Sequence, residues 1–421
     1  MPAAGEPLAF DLWLEPFALE SGPHLPCIYL RGWWWGPAFE RQRLAAGTVP
    51  VVHVPGQVVR RDLAAQARLR EASEEVELPL ELDPDIPTVL VIHALTADAT
   101  VGGPSGWWSP LVGPNKPLDP TVQRILCFNN LGSCYGSFGP ADHRFPTIAD
   151  EVAARPTDEL SVVPTKGDFE LPLAVPASIG TYDQAMAIGR ALDHLGIRTV
   201  DLVTGGSLGG MIALALASLF PRRVKRVAPI AANHRSTAWI RGFNHVGRRA
   251  ITQDPGFPDQ VTFGLEIARQ LAHLSYRAED GLSARQDPPP GQVLKGLPFP
   301  VQTYLEHQGR KLRDRFDARA YLAQLSAMDL HDLSRAPPLE WPLLERDASW
   351  SLERLRCSVR AIGIDSDQLY SPTRLCSLTE ELRELGLDAD YREIHSPHGH
   401  DAFLLEWDAM TEALTWASKE P

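Results

Sequence analysis

Short apolar runs alternate along the chain with longer stretches in helical spacing. Five runs are rich in β-branched or aliphatic residues and are bounded by turn residues: 87–93, 123–128, 199–204, 224–230 and 358–363. Such runs are typical of strands that are buried on both faces. Residues 182–196 carry Ala185, Ile188 and Leu192 on one helical face and end at a glycine, as helices commonly do. This alternation predicts an α/β core with a parallel sheet covered by helices.

Two segments interrupt this pattern. From 235 to 344 the chain has Arg, Gln, Leu and Ala in helical spacing, with few β-branched runs and a proline-rich break at 287–291. We therefore expect a helical insertion, which divides the core into a first part, 1–234, and a second part, 345–421. Residues 142–171 are polar and contain prolines without a clear period, which predicts a surface loop.

Charge and composition exclude several classes of protein. The chain has 421 residues, with 40 Lys and Arg against 53 Asp and Glu, a formal net charge of −13. A polyanion is bound through clustered positive charge, so we expect no nucleic-acid partner. The longest strongly apolar stretch, 211–220, is far shorter than the roughly 20 residues that cross a bilayer, so we expect no membrane partner. The first residues lack the pattern of a secretory signal and the five cysteines lack a disulfide pattern, which favours a cytoplasmic location.

The strongest chemical signal is the segment 203–211, in which Ser207 occupies the centre of a Gly-x-Ser-x-Gly motif. The motif follows a predicted strand and precedes a predicted helix. A serine on such a tight turn is exposed above the sheet, and small residues on either side allow strand and helix to close around it. We interpret Ser207 as a nucleophile. The alternative is a glycine-rich turn that only begins a helix.

A nucleophilic serine needs a base to take its proton and an acid to orient that base. Asp365 and Asp367 follow the predicted strand 358–363, and His400 follows a further predicted strand, 390–394. The order Ser, Asp, His is that of α/β-hydrolases. On spacing alone, Asp365 competes with Asp367 for the role of the acid.

Three histidines within six residues allow a second interpretation. His395, His398 and His400 have a spacing at which imidazoles can converge on zinc. No second cluster of His, Cys or carboxylate supplies the remaining ligands, so we expect no metal.

The segment 93–98 follows the predicted strand 87–93, where α/β-hydrolases place the loop that donates one amide to the oxyanion hole. The other amide belongs to the residue after the nucleophile. The backbone N–H groups of Leu95 and Leu208 are therefore the candidates for the oxyanion hole.

Eight separated blocks occur in one order along the chain: 93–96, 106–119, 130–140, 205–211, 304–309, 315–318, 366–372 and 396–406. Together they resemble the homoserine O-acetyltransferase family, the α/β-hydrolase-fold acyltransferases of methionine biosynthesis. The resemblance covers most of the chain, with an atypical region over residues 1–85. It implies an α/β-hydrolase fold with a mostly parallel central sheet and an inserted helical lid, and it places the catalytic triad on Ser207, Asp367 and His400.

The resemblance also implies a reaction. Ser207 would take an acyl group from acetyl-CoA or another acyl-CoA, and the hydroxyl of homoserine or a similar hydroxy amino acid would then attack the acyl-enzyme. Arg248 is implied as the group that binds the substrate carboxylate, and Asp401 as the partner of its amine. The acyl-CoA is a co-substrate, no bound cofactor is expected, and the lid helices are expected to form a homodimer.

Two other functions remain open from the sequence. An esterase or thioesterase would use the same triad if water reached the acyl-enzyme, and a catalytically silent hydrolase-fold protein would only bind a ligand. Retention of all three triad residues argues against the silent protein. Transfer differs from hydrolysis by the exclusion of water from the site, which the sequence does not reveal.

Overall fold

The computed structural model describes residues 7–37, 40, 44, 49–50, 57–58, 82–142, 144–154, 174–292, 296–338, 341 and 350–419. Eleven strands and ten helices have both of their ends within these residues. The strands are β1 Leu8–Leu14, β2 Phe17–Ala18, β3 His24–Leu25, β4 Ile28–Trp35, β5 Val49–Pro50, β6 Thr88–Ile92, β7 Arg124–Phe128, β8 Leu202–Gly206, β9 Arg226–Ile230, β10 Ser358–Ile364 and β11 Ala389–Ile394. The helices are α1 Ile148–Ala154, α2 Thr181–His194, α3 Leu208–Leu219, α4 Ala238–Thr252, α5 Phe263–Tyr276, α6 Glu279–Gln286, α7 Pro300–Arg313, α8 Ala318–Leu330, α9 Pro372–Glu384 and α10 Trp407–Ser418. Short 3-10 turns lie at Ser109–Leu111, Leu352–Arg354 and Gly399–Leu404.

Nine of these strands form one sheet in the order β11-β10-β9-β8-β6-β7-β4-β1-β5. The six strands from β11 to β7 are parallel to their neighbours, whereas β4, β1 and β5 pair antiparallel. The register places Ile92 beside Gly205, Gly206 beside Ile230, and Ile364 beside Ile394. The loops that follow β6, β8, β10 and β11 therefore meet at one edge of the sheet, where ligands of open α/β folds commonly bind.

Apolar residues on both faces explain why the parallel strands lie at the centre. Every residue of β6, β7 and β8 is buried, and α3 is buried along its whole length. A strand covered on both faces needs no polar alternation, which is why the short aliphatic runs predict this part of the sheet. Among the described residues, no helix is long and apolar enough to cross a bilayer.

The antiparallel strands β1 and β4 were not identified from the sequence pattern. They carry an ion pair inside the sheet, in which the Arg31 guanidinium donates to both carboxylate oxygens of Asp11 at 2.9 and 3.1 Å. The adjacent Trp34 and Trp35 are buried. Charged residues in a buried strand do not produce an apolar run, so the pattern conceals these two strands.

Five helices, α4 to α8, lie between β9 and β10, within the predicted insertion. Helix α4 packs against α5 and α8, and α5 packs against α7. The turn Gly399–Leu404 also contacts α5, which places one lid helix beside the loop that carries His400.

The segment 142–171, expected to be a surface loop, contains a buried aspartate and a short helix in its first part. Asp142 is buried and accepts a hydrogen bond from Tyr29 at 2.8 Å, and α1 begins a few residues later. The Asp150 carboxylate accepts from the backbone N–H and the hydroxyl of Thr147, both at 2.8 Å, as a capping interaction at the start of this helix. Residues 155–171 of the segment lie outside the described part of the chain.

Candidate active site

Ser207 sits on a strained turn between β8 and α3. Its backbone adopts φ 56° and ψ −125°, a conformation that residues with a side chain rarely adopt. A Cβ atom at Gly205 or Gly209 would lie 2.3 or 2.1 Å from the carbonyl oxygen of Ile92, so only glycine allows this close approach of β6. The motif therefore builds a sharp elbow that places Ser207 at the carboxyl edge of the sheet.

His400 and Asp367 form a buried pair at the same edge. His400 Nδ1 lies 2.7 Å from Asp367 Oδ2, while Asp367 Oδ1 accepts from the backbone N–H groups of Leu369 and Tyr370 at 2.8 and 2.9 Å. Three hydrogen bonds thus fix the carboxylate. Because an ionised Asp367 only accepts, Nδ1 carries the proton and Nε2 is left free to receive another.

The electrostatic surroundings suit His400 to the role of a base. Burial lowers its pKa, but the charge and hydrogen bond of Asp367, together with the charge of Asp401, outweigh burial and raise the pKa above its ordinary value. His400 Nε2 is buried and has no hydrogen-bond partner among the residues described. Asp367 thus stabilises a protonated His400, and in the neutral ring Nε2 has no competing partner among the described residues.

Asp365 and the other two histidines of the segment have different partners. Asp365 Oδ2 lies 3.0 Å from His395 Nδ1, and its other oxygen accepts from the backbone N–H of Ser396 at 3.0 Å. His398 Nε2 lies 3.8 Å from Glu406. The three histidines therefore point to separate carboxylates, and the described chain contains no cluster of three or more His, Cys, Asp or Glu that could hold a metal ion.

The two candidate oxyanion amides belong to buried residues. Neither Leu95 nor Leu208 donates its backbone N–H to another group in the described part of the chain. The loop that carries Leu95 is held by His93, whose Nδ1 lies 2.8 Å from the carbonyl of Ala94 and whose Nε2 accepts from the N–H of Asn130 at 2.9 Å. Burial lowers the pKa of His93 to about 4, so this residue is a neutral structural anchor at neutral pH.

Comparison with known proteins decides the family. A family model described as alpha/beta hydrolase fold matches residues 87–276. The chain is 38% identical over 347 residues to the homoserine O-acetyltransferase of Thermus thermophilus, covering 77% of this chain and 80% of the relative. The chain belongs to the homoserine O-acetyltransferase family. The chain is also 36% identical over 356 residues to a homoserine O-succinyltransferase of Bordetella avium, and the match covers 79% of each of the two proteins.

Solved structures agree on the fold. A homoserine O-acetyltransferase from Bacillus anthracis matches 98% of each chain with a TM-score of 0.71 at 18% identity. The acetyl esterase MekB matches 98% of this chain and 97% of its own with a TM-score of 0.65 at 17% identity. The predicted α/β-hydrolase fold is therefore confirmed, while likeness at these identities shows the fold alone.

The two residues implied as substrate partners are already ion-paired with residues of the lid. Arg248 Nη2 lies 2.6 Å from Asp329 Oδ2, and Asn244 donates to the other oxygen of Asp329 at 2.8 Å. Asp401 Oδ2 lies 3.2 Å from Arg277 Nη2 at the end of α5. An amino acid that used Arg248 and Asp401 would have to share or replace these partners, so their substrate roles stay predictions.

Tyr370 is a site residue that the sequence reasoning did not single out. Its ring stacks on the His400 ring at 5.1 Å and an interplanar angle of 25°. Its hydroxyl contacts Met211 Sδ at 3.8 Å and interacts with the Ser207 side chain. Burial holds the pKa of Tyr370 well above its ordinary value, so the phenol stays neutral. The signal in the sequence was its place three residues after Asp367.

A narrow cavity of about 20 Å³ lies between the lid and the loop after β10. It is lined mostly by apolar side chains from α4, α5 and α8, with Tyr276 and Leu369 at the side nearest the triad loop. Tyr276 in turn lies 5.5 Å from His400, ring centre to ring centre. Apolar and aromatic groups thus surround the lid side of the histidine.

Proposed function

We propose that this protein is an O-acyltransferase that moves a short acyl group from an acyl-CoA to the hydroxyl of homoserine or a similar hydroxy amino acid. The observation that carries the proposal is the strained elbow at Ser207 together with the His400–Asp367 pair at 2.7 Å. Membership of the homoserine O-acetyltransferase family supports the acceptor class. Relatives named for acetyl and for succinyl transfer leave both acyl groups as donors to test.

In the first half-reaction, Ser207 is the nucleophile. Its oxygen attacks the thioester carbonyl while His400 Nε2 takes the hydroxyl proton, and the amides of Leu95 and Leu208 stabilise the oxyanion. Collapse of the tetrahedral intermediate breaks the carbon–sulfur bond. The leaving thiolate takes the proton from His400, which leaves an acyl ester on Ser207 and a neutral imidazole.

In the second half-reaction, the acceptor hydroxyl takes the place of the thiol. His400 Nε2 removes its proton as its oxygen attacks the acyl carbonyl, and the same two amides hold the second oxyanion. Collapse then breaks the bond to the Ser207 oxygen, which regains a proton from His400. The product is an ester of the hydroxy amino acid, and the enzyme returns to its starting state.

Transfer requires that the amino acid reaches the acyl-enzyme before water does. The buried His400, the rings of Tyr276, Tyr370 and Phe403 around it, and the narrow apolar cavity support a site with little room for water. The same triad would hydrolyse the acyl ester if water entered freely. Hydrolysis is therefore the outcome that the decisive experiment has to separate from transfer.

Mass spectrometry of the intact protein provides that experiment. Wild type is mixed with acetyl-CoA or succinyl-CoA, the covalent adduct is located, and homoserine or serine is then added. We expect an acyl adduct on Ser207 that one of the amino acids discharges much faster than buffer alone, with formation of the O-acyl amino acid. The variant Ser207→Ala is the control and should form no adduct. An adduct that decays to free acid equally fast with and without the amino acids would make the protein a hydrolase.

A further inference from the structure

One face of α5 carries four polar or charged side chains at helical spacing. Arg269, His273 and Arg277 follow each other every four residues, and Tyr276 shares the same face. Helix α7 packs against α5 and contributes Tyr304, whose hydroxyl lies 3.4 Å from His273 Nδ1. Lys311 lies about two helical turns after Tyr304 on α7, and its positive charge also lowers the pKa of His273. We call Arg269, His273, Arg277 and Lys311 the α5 cationic cluster.

The positive charge of this cluster is not balanced within the described residues. Arg277 pairs with Asp401 and sits at the carboxyl end of α5, where a cation is favourable. Arg269 and Lys311 have no carboxylate partner in the described chain, and Arg269 lies over the Tyr276 ring at 5.7 Å. Burial, and then the charges of Arg269, Arg277 and Lys311, lower the pKa of His273 to about 2. The histidine is therefore neutral in a positive environment.

Three buried nitrogen atoms of the cluster lack hydrogen-bond partners. They are Nε2 of His273 and the Nε atoms of Arg269 and Arg277, counted over the residues that the structure describes. His273 is only 4% exposed, so water does not freely compensate its Nε2. Buried polar atoms are normally paired, so three unpaired nitrogens in one cluster leave donors that an anionic group could satisfy. If Tyr304 donates to Nδ1, the His273 proton lies on Nε2, and all three nitrogens are donors.

The cluster lies next to the catalytic histidine. Tyr276 bridges the two, because its ring lies 6.2 Å from the His273 ring and 5.5 Å from the His400 ring. Asp401, the partner of Arg277, directly follows His400 in the chain. Lys311 is exposed, so the cluster runs from the solvent toward the triad. A molecule that enters along it would bring its reactive end toward His400.

We propose that the α5 cationic cluster binds an anionic group of the acyl donor. Arginine and lysine side chains with an N–H donor between them are the usual partners of phosphate and carboxylate. The donor has two sources of such a group, the phosphates of the coenzyme and the terminal carboxylate of a dicarboxylic acyl chain. This inference rests on the proposed function and adds the part of the donor that the lid recognises.

Donors with different charges distinguish the two sources. The acylation rate is measured against donor concentration with acetyl-CoA, succinyl-CoA and uncharged S-acetylpantetheine, for wild type, Arg269→Gln and Lys311→Gln. Binding of phosphate should make Arg269→Gln raise KM about tenfold for both CoA thioesters and leave S-acetylpantetheine unchanged, with a smaller effect of Lys311→Gln. Binding of the acyl carboxylate should raise KM for succinyl-CoA only. Equal effects on all three donors, or none on any, would overturn the proposal.

Two controls keep the outcome interpretable. Arg310→Gln removes an exposed charge from the same helix as Lys311, where it pairs with Glu306 at 3.4 Å, and should leave KM unchanged for every donor. Arg269→Lys keeps the charge and should restore part of the affinity that Arg269→Gln loses. Thermal melting of each variant shows whether a lost affinity reflects a lost fold.

A binding measurement separates this inference from the proposed function. CoA and succinyl-CoA are titrated by calorimetry into Ser207→Ala and into Ser207→Ala with Arg269→Gln, where no chemistry can occur. Weaker binding of either compound to the double variant than to Ser207→Ala supports the anion site. This result is independent of the proposed function, which would fail if the wild type formed no acyl-enzyme. Equal binding to both proteins, or no binding to either, would refute the anion site.

Discussion

Replacing Asp367 by asparagine tests the pair on which the proposed role of His400 as the base depends. In the wild type, Asp367 Oδ1 accepts from the N–H groups of Leu369 and Tyr370 at 2.8 and 2.9 Å, and Oδ2 faces His400 Nδ1 at 2.7 Å. Asparagine has one acceptor oxygen, and the two backbone donors require it at the Oδ1 position. The NH2 group then faces His400, so Nδ1 has to accept and the ring proton moves to Nε2.

That tautomer cannot take a proton from Ser207. The expected loss is about four orders of magnitude in the acylation rate, or about 5 kcal/mol in activation free energy. The fold should persist because the substitution keeps the shape of the side chain. Removing the carboxylate charge also removes the main influence that raises the pKa of His400. Any residual rate, which requires neutral His400, should therefore persist to a lower pH than the wild-type rate does.

Single-turnover acylation by acetyl-CoA or succinyl-CoA, followed from pH 5 to 9, measures both effects. Asp365→Asn is the matched control, because Asp365 contacts His395 and the backbone of Ser396 and does not contact His400. It should change the rate by less than about tenfold, as removal of a partly exposed pair costs little. A larger loss in Asp365→Asn than in Asp367→Asn would refute the assignment of the acid.

Three further outcomes are expected. Ser207→Ala should lower turnover about a millionfold with an unchanged melting temperature, and a variant that kept a tenth of the wild-type rate would show that another residue is the nucleophile. Arg248→Ala and Asp401→Asn should slow discharge of the acyl-enzyme by the amino acid while acylation stays near normal in single-turnover measurements. Slower acylation with normal discharge would place these residues at the donor instead. Phe263 on α5 is 70% exposed, and we expect it to lie in the homodimer interface that the family resemblance implies. Phe263→Asp should therefore give monomers in light scattering. A wild-type protein that is itself monomeric would contradict the expected dimer.

The sharp turn at Ser207 could be predicted because its signal is local. The 18 consecutive residues 202–219 contain the strand, the turn and the helix. The close approach of Ile92 requires glycine at positions 205 and 209. The parallel strands could also be recognised, since burial on both faces requires apolar runs. The strands β1 and β4 could not, because their buried charges are tolerated only once Asp11 and Arg31 meet across the ladder.

Choices between neighbouring candidates required the tertiary structure. Asp365 and Asp367 are two residues apart, and only the adjacency of β10 and β11 brings Asp367 to His400 and Asp365 to His395. The spacing of Arg269, His273 and Arg277 is visible in the sequence, but it is equally typical of a solvated basic helix face. Packing against α7 and the His400 loop buries His273 and half-buries Arg269 and Arg277, which the spacing alone does not show. The sequence determined which chemical groups are present, and the packing decided which of them carry partners and which remain unpaired.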